Sequence, residues 1–161
     1  MDGMSGTNHP QSARSPHSRS PLDVLRRYQR AMVHQDANEL ADLYAPDAVH
    51  ELPFLFPGMP ARYEGREQLR AAYGAAWDAS PARPQEVQTI AVHRCEDPEV
   101  LVIEQVVVGV NAATGERFEL PSVLVLHVHR GRITHVRDYM DGLAVARAMH
   151  RLPAVVKALE G

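Results

Sequence analysis

The stretch Gly131-Arg-Ile-Thr-His-Val-Arg-Asp-Tyr-Met-Asp141 follows a turn and has the composition of a β-strand. Ile, Val, Thr and Tyr favour strands, and here they are interspersed with polar residues, as in a strand with one buried face. Asp138 occupies a position where an apolar residue is expected. Because a buried carboxylate is costly unless it is paired or has chemistry to perform, the direction of Asp138 bears on both fold and function.

The turn before this strand determines that direction. A two-residue Arg-Gly turn would place Asp138 opposite Val123. A three-residue turn, with Gly131 in the left-handed conformation as a bulge, would place it opposite Ser122. We favour the three-residue turn, because it gathers apolar side chains on one face and points Asp138 toward the core. That face comprises Ser122, Leu124, Leu126, Val128, Val136, Asp138 and Met140, and the other face comprises His127, His135, Arg137 and Tyr139.

The rest of the chain divides into a helical half and a β-rich half. Ser20 and Pro21 are typical of the N-cap and first position of a helix, and apolar residues follow at helical spacing. Helices are predicted at 21–34, 36–44, 65–77 and 143–150, strands at 48–52, 87–93, 100–110, 118–128 and 133–140, and an apolar loop at 53–63. This order predicts an α+β domain with three N-terminal helices over the concave face of a curved, mostly antiparallel sheet.

Composition excludes several classes of function. The chain has 161 residues, of which 45% are hydrophobic and 23% charged, as in one ordinary globular domain. A net charge of −3 offers no basic surface for nucleic acid or a membrane, and no apolar run is long enough to span a bilayer. The single cysteine, Cys95, cannot form an internal disulfide, which favours a cytoplasmic location. Residues 1–20 are rich in Ser, Pro, Gly, Arg and His, which predicts a disordered tail.

Three strings along the chain resemble a known family. They are Leu43-Tyr-Ala-Pro-Asp-Ala-Val49, Tyr63-Glu-Gly-Arg-Glu-Gln-Leu69, and Gly131-Arg-Ile through Arg137-Asp138-Tyr139. The chain resembles SnoaL-like members of the nuclear transport factor 2-like superfamily, which includes polyketide cyclases, ketosteroid isomerase, scytalone dehydratase and limonene epoxide hydrolase. The resemblance covers about residues 21–150, and it implies a cone-shaped roll in a single domain over residues 21–161.

The resemblance also implies a pocket between the helices and the sheet, with catalytic groups projecting inward from the strands. Asp138 matches an acid in the Arg-Asp-Tyr segment of limonene epoxide hydrolase. Tyr28 lies in the first helix, where ketosteroid isomerase has its oxyanion-hole tyrosine. His50 matches a polar pocket position of the epoxide hydrolase.

Other catalytic positions of these relatives are not matched. The epoxide hydrolase has an arginine and a second aspartate on one strand, where this chain has Gln105 and Val107. The base of ketosteroid isomerase falls at Leu52, and its protonated aspartate falls at about Leu124. Neither mechanism is therefore carried over in its known form.

The polar residues that remain on the pocket side form the candidate site. An acid with a pKa raised by an apolar pocket and an imidazole titrating near neutrality can exchange protons with a substrate, which favours Asp138 and His50 as the acid–base pair. Tyr28 and Gln105 could donate to a developing oxyanion. An anchored acid, a core histidine and a core tyrosine would give the same pattern. The candidate substrate-binding residues are Leu52, Phe54, Phe56, Trp77, Val107, Leu120, Ser122, Leu124 and Met140.

We expect a small enzyme of specialised metabolism that uses no cofactor and no metal. It would cyclise, isomerise or dehydrate an apolar, polyketide-like or polycyclic substrate by proton transfer. Two alternatives stay open, namely epoxide opening by water or an internal hydroxyl, and a non-catalytic ligand-binding dimer. The outward residues Val123, Val125 and Tyr139 make a sheet face apolar enough for the homodimer that is usual in the family.

Overall fold

The computed structural model describes residues 19–54 and 60–160, which form the predicted helices and strands in the predicted order together with one further strand and one further helix. The helices are α1 (Pro21–His34), α2 (Ala37–Asp42), α3 (Arg66–Asp78), α4 (Gly142–Ala148) and α5 (Leu152–Glu160). The strands are β1 (Tyr44–Glu51), β2 (Arg62–Glu64), β3 (Ala82–Arg94), β4 (Val100–Asn111), β5 (Arg117–His129) and β6 (Arg132–Met140).

All the strands join in one sheet with the order β2-β1-β6-β5-β4-β3. β1 pairs with β6 in parallel, and every other neighbouring pair is antiparallel. The sheet is curved and carries the helices against its inner face, so the predicted α+β roll is confirmed.

The first helix begins as predicted. Ser20 Oγ accepts a hydrogen bond from the Asp23 backbone N–H at 3.2 Å, and the Asp23 carboxylate accepts one from the Ser20 N–H, which completes a capping box. Pro21 follows in the first turn, where its missing N–H has no cost. The face of α1 that packs on the sheet consists of Val24, Leu25, Tyr28 and Ala31.

The turn between β5 and β6 differs from the prediction. Arg130 and Gly131 both have positive φ, of 48° and 75°, and they form a two-residue turn in which His129 pairs with Arg132. Such turns match the right-handed twist of the strands that they connect. The predicted three-residue turn is therefore wrong.

A bulge after the turn nevertheless points Asp138 inward. The register shifts by one residue at Thr134, which has no pairing residue on β5. Beyond it, Asp138 pairs with Leu124 rather than with Ser122. Leu124 is completely buried, and paired residues project to the same side of a sheet, so Asp138 also projects into the core. The predicted orientation is confirmed, although the predicted pairing is wrong.

Other boundaries differ in smaller ways. Tyr44 begins β1 and does not end the second helix, β2 forms at the end of the segment predicted as a loop, and α5 has no counterpart in the prediction. The predicted tail lies outside the described residues, apart from its last two positions. Within the described ranges, no helix is both long enough and apolar enough to cross a membrane.

Gly109 marks a close approach inside the sheet. A Cβ atom at this position would lie 2.4 Å from the carbonyl oxygen of Arg83 and 2.5 Å from the ring of Phe118. These distances are too short for any side chain, so the absence of a side chain at Gly109 lets the Phe118 ring lie across β4. That ring is buried and forms part of the cavity described next.

Candidate active site

A cavity of about 370 Å³ lies between the helices and the inner face of the sheet. Most of its wall is apolar, and a few polar side chains from α1, α3, β4, β5 and β6 interrupt it. The lining side chains include Tyr28, Met32, Tyr73, Trp77, Gln105, Val107, Phe118, Leu120, Ser122, Asp138, Met140 and Met149. A mostly apolar cavity with a few converging polar groups is typical of a small-molecule site.

Asp138 is the one carboxylate that lines this cavity in the described part of the chain. Its side chain is only 3% exposed, and its Oδ1 atom has no hydrogen-bond partner among the described residues. Burial raises the pKa of Asp138 from 3.8 to about 7, because the ionised form loses its hydration. Near neutral pH the group can therefore either accept or release a proton, as expected of an acid–base group.

The hydroxyl oxygen of Tyr28 is a second buried polar atom at the cavity. This residue of α1 is 1% exposed, and its hydroxyl makes no hydrogen bond of standard geometry among residues 19–54 and 60–160, although the side chains of Tyr44 and Tyr73 lie close to it. Burial raises its pKa well above 10.0, and the nearby Tyr44, Tyr73 and Asp138 add to the shift. The hydroxyl therefore stays protonated. Buried polar atoms without a partner are rare, and two at the wall of one cavity indicate a place for a polar ligand atom.

Gln105 is held in place by its neighbours on both sides. Its Oε1 accepts a hydrogen bond from Gln29 Nε2 at 3.0 Å, and its Nε2 donates to Ser122 Oγ at 3.4 Å. Gln29 also donates to Thr89 Oγ1 at 2.9 Å. The predicted site residues Gln105 and Ser122 thus meet at the cavity wall as an amide and hydroxyl pair with no formal charge.

His50 lies behind the cavity wall instead of on it. It is completely buried, and its two ring nitrogens contact tyrosine hydroxyls: Nδ1 lies 2.9 Å from Tyr44 and Nε2 lies 3.2 Å from Tyr73. Burial lowers the pKa of His50 to about 3, so the imidazole is neutral at physiological pH. The expectation that it titrates near neutrality is wrong, and its described hydrogen bonds join it to tyrosines and not to Asp138.

The predicted substrate-binding residues divide into two groups. Trp77, Val107, Leu120, Ser122 and Met140 line the cavity. The others lie elsewhere: Leu52 is buried beside β2, Leu124 is in the central core, Phe54 is 67% exposed, and Phe56 falls outside the described residues. Phe54 instead packs edge-to-face on Tyr139, with ring centroids 5.3 Å apart, on the outer face of the sheet.

Tyr73 is a cavity residue that the sequence patterns do not single out. It lies on α3 one turn before Trp77, and the two rings pack edge-to-face with centroids 5.1 Å apart. A tyrosine and a tryptophan four residues apart also occur in ordinary packed helices, so the spacing alone does not indicate a site. The structure adds the contact with His50 and the position at the cavity wall.

The outer face carries a separate ionic cluster around Glu51. Its carboxylate accepts hydrogen bonds from Arg137, His135 and Arg62 at 3.0, 2.8 and 2.7 Å. The Arg137 and His135 contacts are the main reason why the pKa of Glu51 falls to about 2. The cluster joins β2, β1 and β6, and its partial exposure to solvent limits its contribution to stability.

Comparison with known proteins identifies the family of the chain and proteins with a similar fold. Residues 25–136 match the model of a SnoaL-like domain. The chain is 27% identical to an uncharacterized PhzA/B-like protein of Pseudomonas aeruginosa, over 86% of this chain and 96% of that one.

Two solved structures have the same fold. A candidate isomerase from Bacillus subtilis is 24% identical with a TM-score of 0.75, and the match covers 81% of this chain and 93% of the other. A candidate SnoaL-like polyketide cyclase from Jannaschia is 19% identical with a TM-score of 0.61, over 86% and 96% of the two chains. At these identities the structures establish the fold alone.

Proposed function

The chain belongs to the SnoaL-like family of the nuclear transport factor 2-like superfamily, and on that premise we propose that it is a small enzyme that transfers protons on an apolar substrate. One observation carries the proposal: Asp138 and Tyr28 each turn a buried oxygen without a described partner toward the same cavity. A bound substrate would supply the partners that the protein lacks.

The chemistry follows from the two side chains. The Asp138 carboxylate would take a proton from a carbon next to a substrate carbonyl, and the electron pair of that C–H bond would move onto the carbonyl oxygen. The Tyr28 hydroxyl would donate a hydrogen bond to the resulting enolate oxygen. Protonated Asp138 would then return the proton to another carbon, giving an isomer. If the enolate carbon instead attacks a second carbonyl group of the substrate, the ring closes and protonated Asp138 returns its proton to the new alkoxide oxygen. If the enolate expels a hydroxyl group, protonated Asp138 gives its proton to that group and water leaves.

The apolar wall supports a substrate of the polyketide-like or polycyclic kind. Trp77, Val107 and Leu120 give apolar contacts, whereas Gln105 and Ser122 offer a neutral polar patch beside them. This mechanism uses no cofactor and no metal. In the proposal, His50 is a positioning residue and not the partner base, because its contacts and its low pKa keep it neutral.

Hydrogen–deuterium exchange tests the proton transfer without requiring the natural substrate. In D2O, the protein would be incubated with a panel of apolar β-diketones and cyclic ketones, and deuterium at the acidic carbon followed by mass spectrometry. We expect the wild-type protein to accelerate exchange and Asp138→Asn to abolish the acceleration. The control Asp47→Asn, at an exposed position of β1, should behave as the wild type.

Two results would replace this proposal with an alternative. Binding of panel compounds without any exchange would identify a non-catalytic ligand-binding protein. Turnover of apolar epoxides with incorporation of oxygen from labelled water would identify an epoxide hydrolase, and epoxide opening without labelling would indicate an internal hydroxyl. Equal exchange in the wild type and in Asp138→Asn would remove Asp138 from the mechanism.

We also propose the homodimer that the sequence analysis predicts, formed through the outer face of the sheet. Phe54, Ile90 and Leu143 are 67%, 63% and 61% exposed and line a surface groove together with Val123 and Tyr139. Light scattering after size-exclusion chromatography would test it. Ile90→Glu should dissociate the dimer, whereas a charge at exposed Ala71 on α3 (Ala71→Glu) should not; a monomeric wild-type protein would contradict the proposal.

A further inference from the structure

Two helices measure the length of the cavity. On α1, Tyr28 lines its inner end, Met32 follows one turn later, and Gln35, the C-cap of the helix, lines the other end. Seven residues of α-helix rise by about 10 Å. Along α3 and just beyond it, Tyr73 and Ser80 line the cavity with the same separation of seven residues. The cavity therefore extends about 10 Å from the two tyrosines to a mouth formed by Gln35 and Ser80.

The acid proposed for the reaction lies at the inner end. Asp138 is 3% exposed, and it lies close enough to Tyr28 to add to the burial that raises the pKa of that hydroxyl. The same two side chains carry the buried oxygens on which the proposed function depends. A substrate carbonyl group that reacts there would therefore lie at the end of the cavity farthest from solvent.

The mouth carries a charge of the opposite sign. Arg151 lines the cavity, and in the described part of the chain it is the one cationic side chain that does so. Met149, two residues before it, accepts a hydrogen bond from Ser80 Oγ at 3.4 Å, which joins this segment to the mouth. Arg151 itself is exposed to solvent. One carboxylate and one guanidinium group thus lie toward opposite ends of a mostly apolar cavity.

The backbone of Arg151 is held in place. His150 has a φ of 55°, and after this left-handed residue the Arg151 N–H donates to the Ala146 carbonyl at 2.7 Å. The Arg151 carbonyl accepts a hydrogen bond from the Val155 N–H at 3.1 Å, at the start of α5. Among the described residues, no carboxylate oxygen lies within 4.0 Å of the guanidinium nitrogens. The planar set of N–H donors, which matches a carboxylate, is therefore available to a ligand.

We propose that Arg151 binds a carboxylate of the substrate, and that the substrate is an apolar acid with this carboxylate about 10 Å from the reacting carbonyl group. The inference rests on the proposed function, which supplies the position of the reacting end. Met32 and Trp77 line the wall between the two ends, so the part of the substrate that joins its polar groups would be hydrocarbon. The side-chain amide of Gln35 at the mouth would add a neutral donor.

The position of Arg151 predicts which kinetic constant it affects. A contact so far from the reacting carbon is the same in the bound substrate and in the transition state, so it should lower KM and leave kcat unchanged. Solvent at the mouth weakens the ion pair. We therefore expect an effect of about 10-fold, which is in the range of one hydrogen bond to a charged group.

Binding of two matched compounds tests the inference without turnover. The probes are 4-cyclohexylbutanoate and 4-cyclohexylbutanamide, which share a hydrocarbon body, differ in charge and have no ketone to react. Isothermal titration calorimetry at about pH 6 keeps the acid ionised while Asp138, with a pKa of about 7, is mainly neutral. The fluorescence of Trp77, the one tryptophan of the chain, reports entry into the cavity. We expect the acid to bind about 10-fold more tightly than the amide.

Matched variants show whether Arg151 causes the preference. Arg151→Gln should remove the difference between acid and amide, and Arg151→Lys should restore part of it, because a lysine keeps the charge and loses the planar donor set. Arg147→Gln is the control, since Arg147 is an exposed arginine of α4 that lines a separate surface groove. Equal affinities of the wild type for acid and amide, no binding of the acid, or a preference that survives Arg151→Gln would overturn the inference.

The exchange assay then tests the length and the reaction together. The compounds are 6-(3-oxocyclohexyl)hexanoate, its methyl ester and the shorter 2-(3-oxocyclohexyl)acetate. Arg151→Gln should raise KM for the long acid about 10-fold with kcat unchanged, and it should not affect the ester or the short acid. If exchange depends on Asp138 but KM for the long acid does not depend on Arg151, the inference fails while the proposed function stands. If Asp138→Asn exchanges as fast as the wild type, the proposed function fails, and the calorimetry still decides whether Arg151 binds the acid.

Discussion

Tyr28 and Asp138 reach the same cavity from two layers of the fold, α1 and β6, and in the described residues neither buried oxygen has a hydrogen-bond partner. A buried polar atom without a partner in the protein makes the folded state less stable than a paired one would. In the proposed function, a bound substrate supplies the partners of both atoms. Their effects on stability and on turnover are therefore expected to have opposite signs.

Asp138→Asn should stabilise the protein in a pH-dependent way. The pKa of Asp138 is raised from 3.8 to about 7 on folding, so between these values the folded protein holds a proton that the unfolded chain has released. Stability conferred by the neutral acid is therefore lost as pH rises through this window. We expect Asp138→Asn to exceed the wild type by up to about 4 kcal/mol at about pH 9 and to show little difference at about pH 4. Urea unfolding at both pH values measures this, with Asp47→Asn as control.

Proton abstraction should become faster as pH increases. Asp138 acts as a base only when ionised, and its pKa of about 7 places the midpoint of the rise in kcat/KM near neutrality. His50 should add no second limb in this range, because its pKa is about 3. A profile of exchange rate against pH checks this. A rate that falls through pH 7 would assign Asp138 as a general acid.

Removing the Tyr28 hydroxyl should separate activity from stability. Tyr28→Phe deletes a buried group with no described partner, so the free energy of unfolding should stay equal or rise by about 1 kcal/mol, while turnover falls about 100-fold. Tyr44→Phe is the matched variant. It breaks the contact with His50 and should destabilise the protein by about 1–2 kcal/mol. Loss of stability in Tyr28→Phe would indicate a structural hydroxyl.

Two glycine substitutions should have opposite effects. Gly109→Ala would place a methyl group 2.4 Å from the Arg83 carbonyl oxygen, and the strands or Phe118 would have to move; we expect a loss of more than about 2 kcal/mol. Gly74→Ala in α3 meets only the Ala37 Cβ at 3.7 Å. It should stabilise the helix by up to about 1 kcal/mol. Thermal unfolding of both variants provides the measurement.

Local sequence patterns predicted the helices and strands, and the alternation of side chains along β6 predicted the side of the sheet to which Asp138 points. Ser20-Pro21 marked the start of α1, because capping depends on neighbouring residues only. The pairing of Asp138 was beyond such reasoning, since one unpaired residue at Thr134 shifts every later pair without leaving a compositional mark. The inward direction was correct because the predicted register and the observed one differ by two residues.

The candidate site shows the same division. Asp138 could be placed at the cavity from the inward face of its strand, whereas Tyr28 and Gln105 were placed there by the resemblance to ketosteroid isomerase and limonene epoxide hydrolase. The environment of His50 could not, because the tyrosines that contact it come from β1 and α3, and Tyr44 was assigned to a helix. Contacts between distant elements determine the pKa of a group, and spacing along the chain does not.

The unpaired Thr134 has an evolutionary consequence. Between the turn and the pair formed by Leu124 and Asp138, β6 has one residue more than β5, and that residue is the exposed Thr134. Its deletion would leave a regular hairpin with the same residue pairs beyond it. We therefore expect a variant that lacks Thr134 to fold with Asp138 still directed into the core. The same loss closer to Asp138 would turn the acid toward solvent and Tyr139 toward the interior. A descendant of this chain could therefore shorten the hairpin at this one point and keep Asp138 directed into the core.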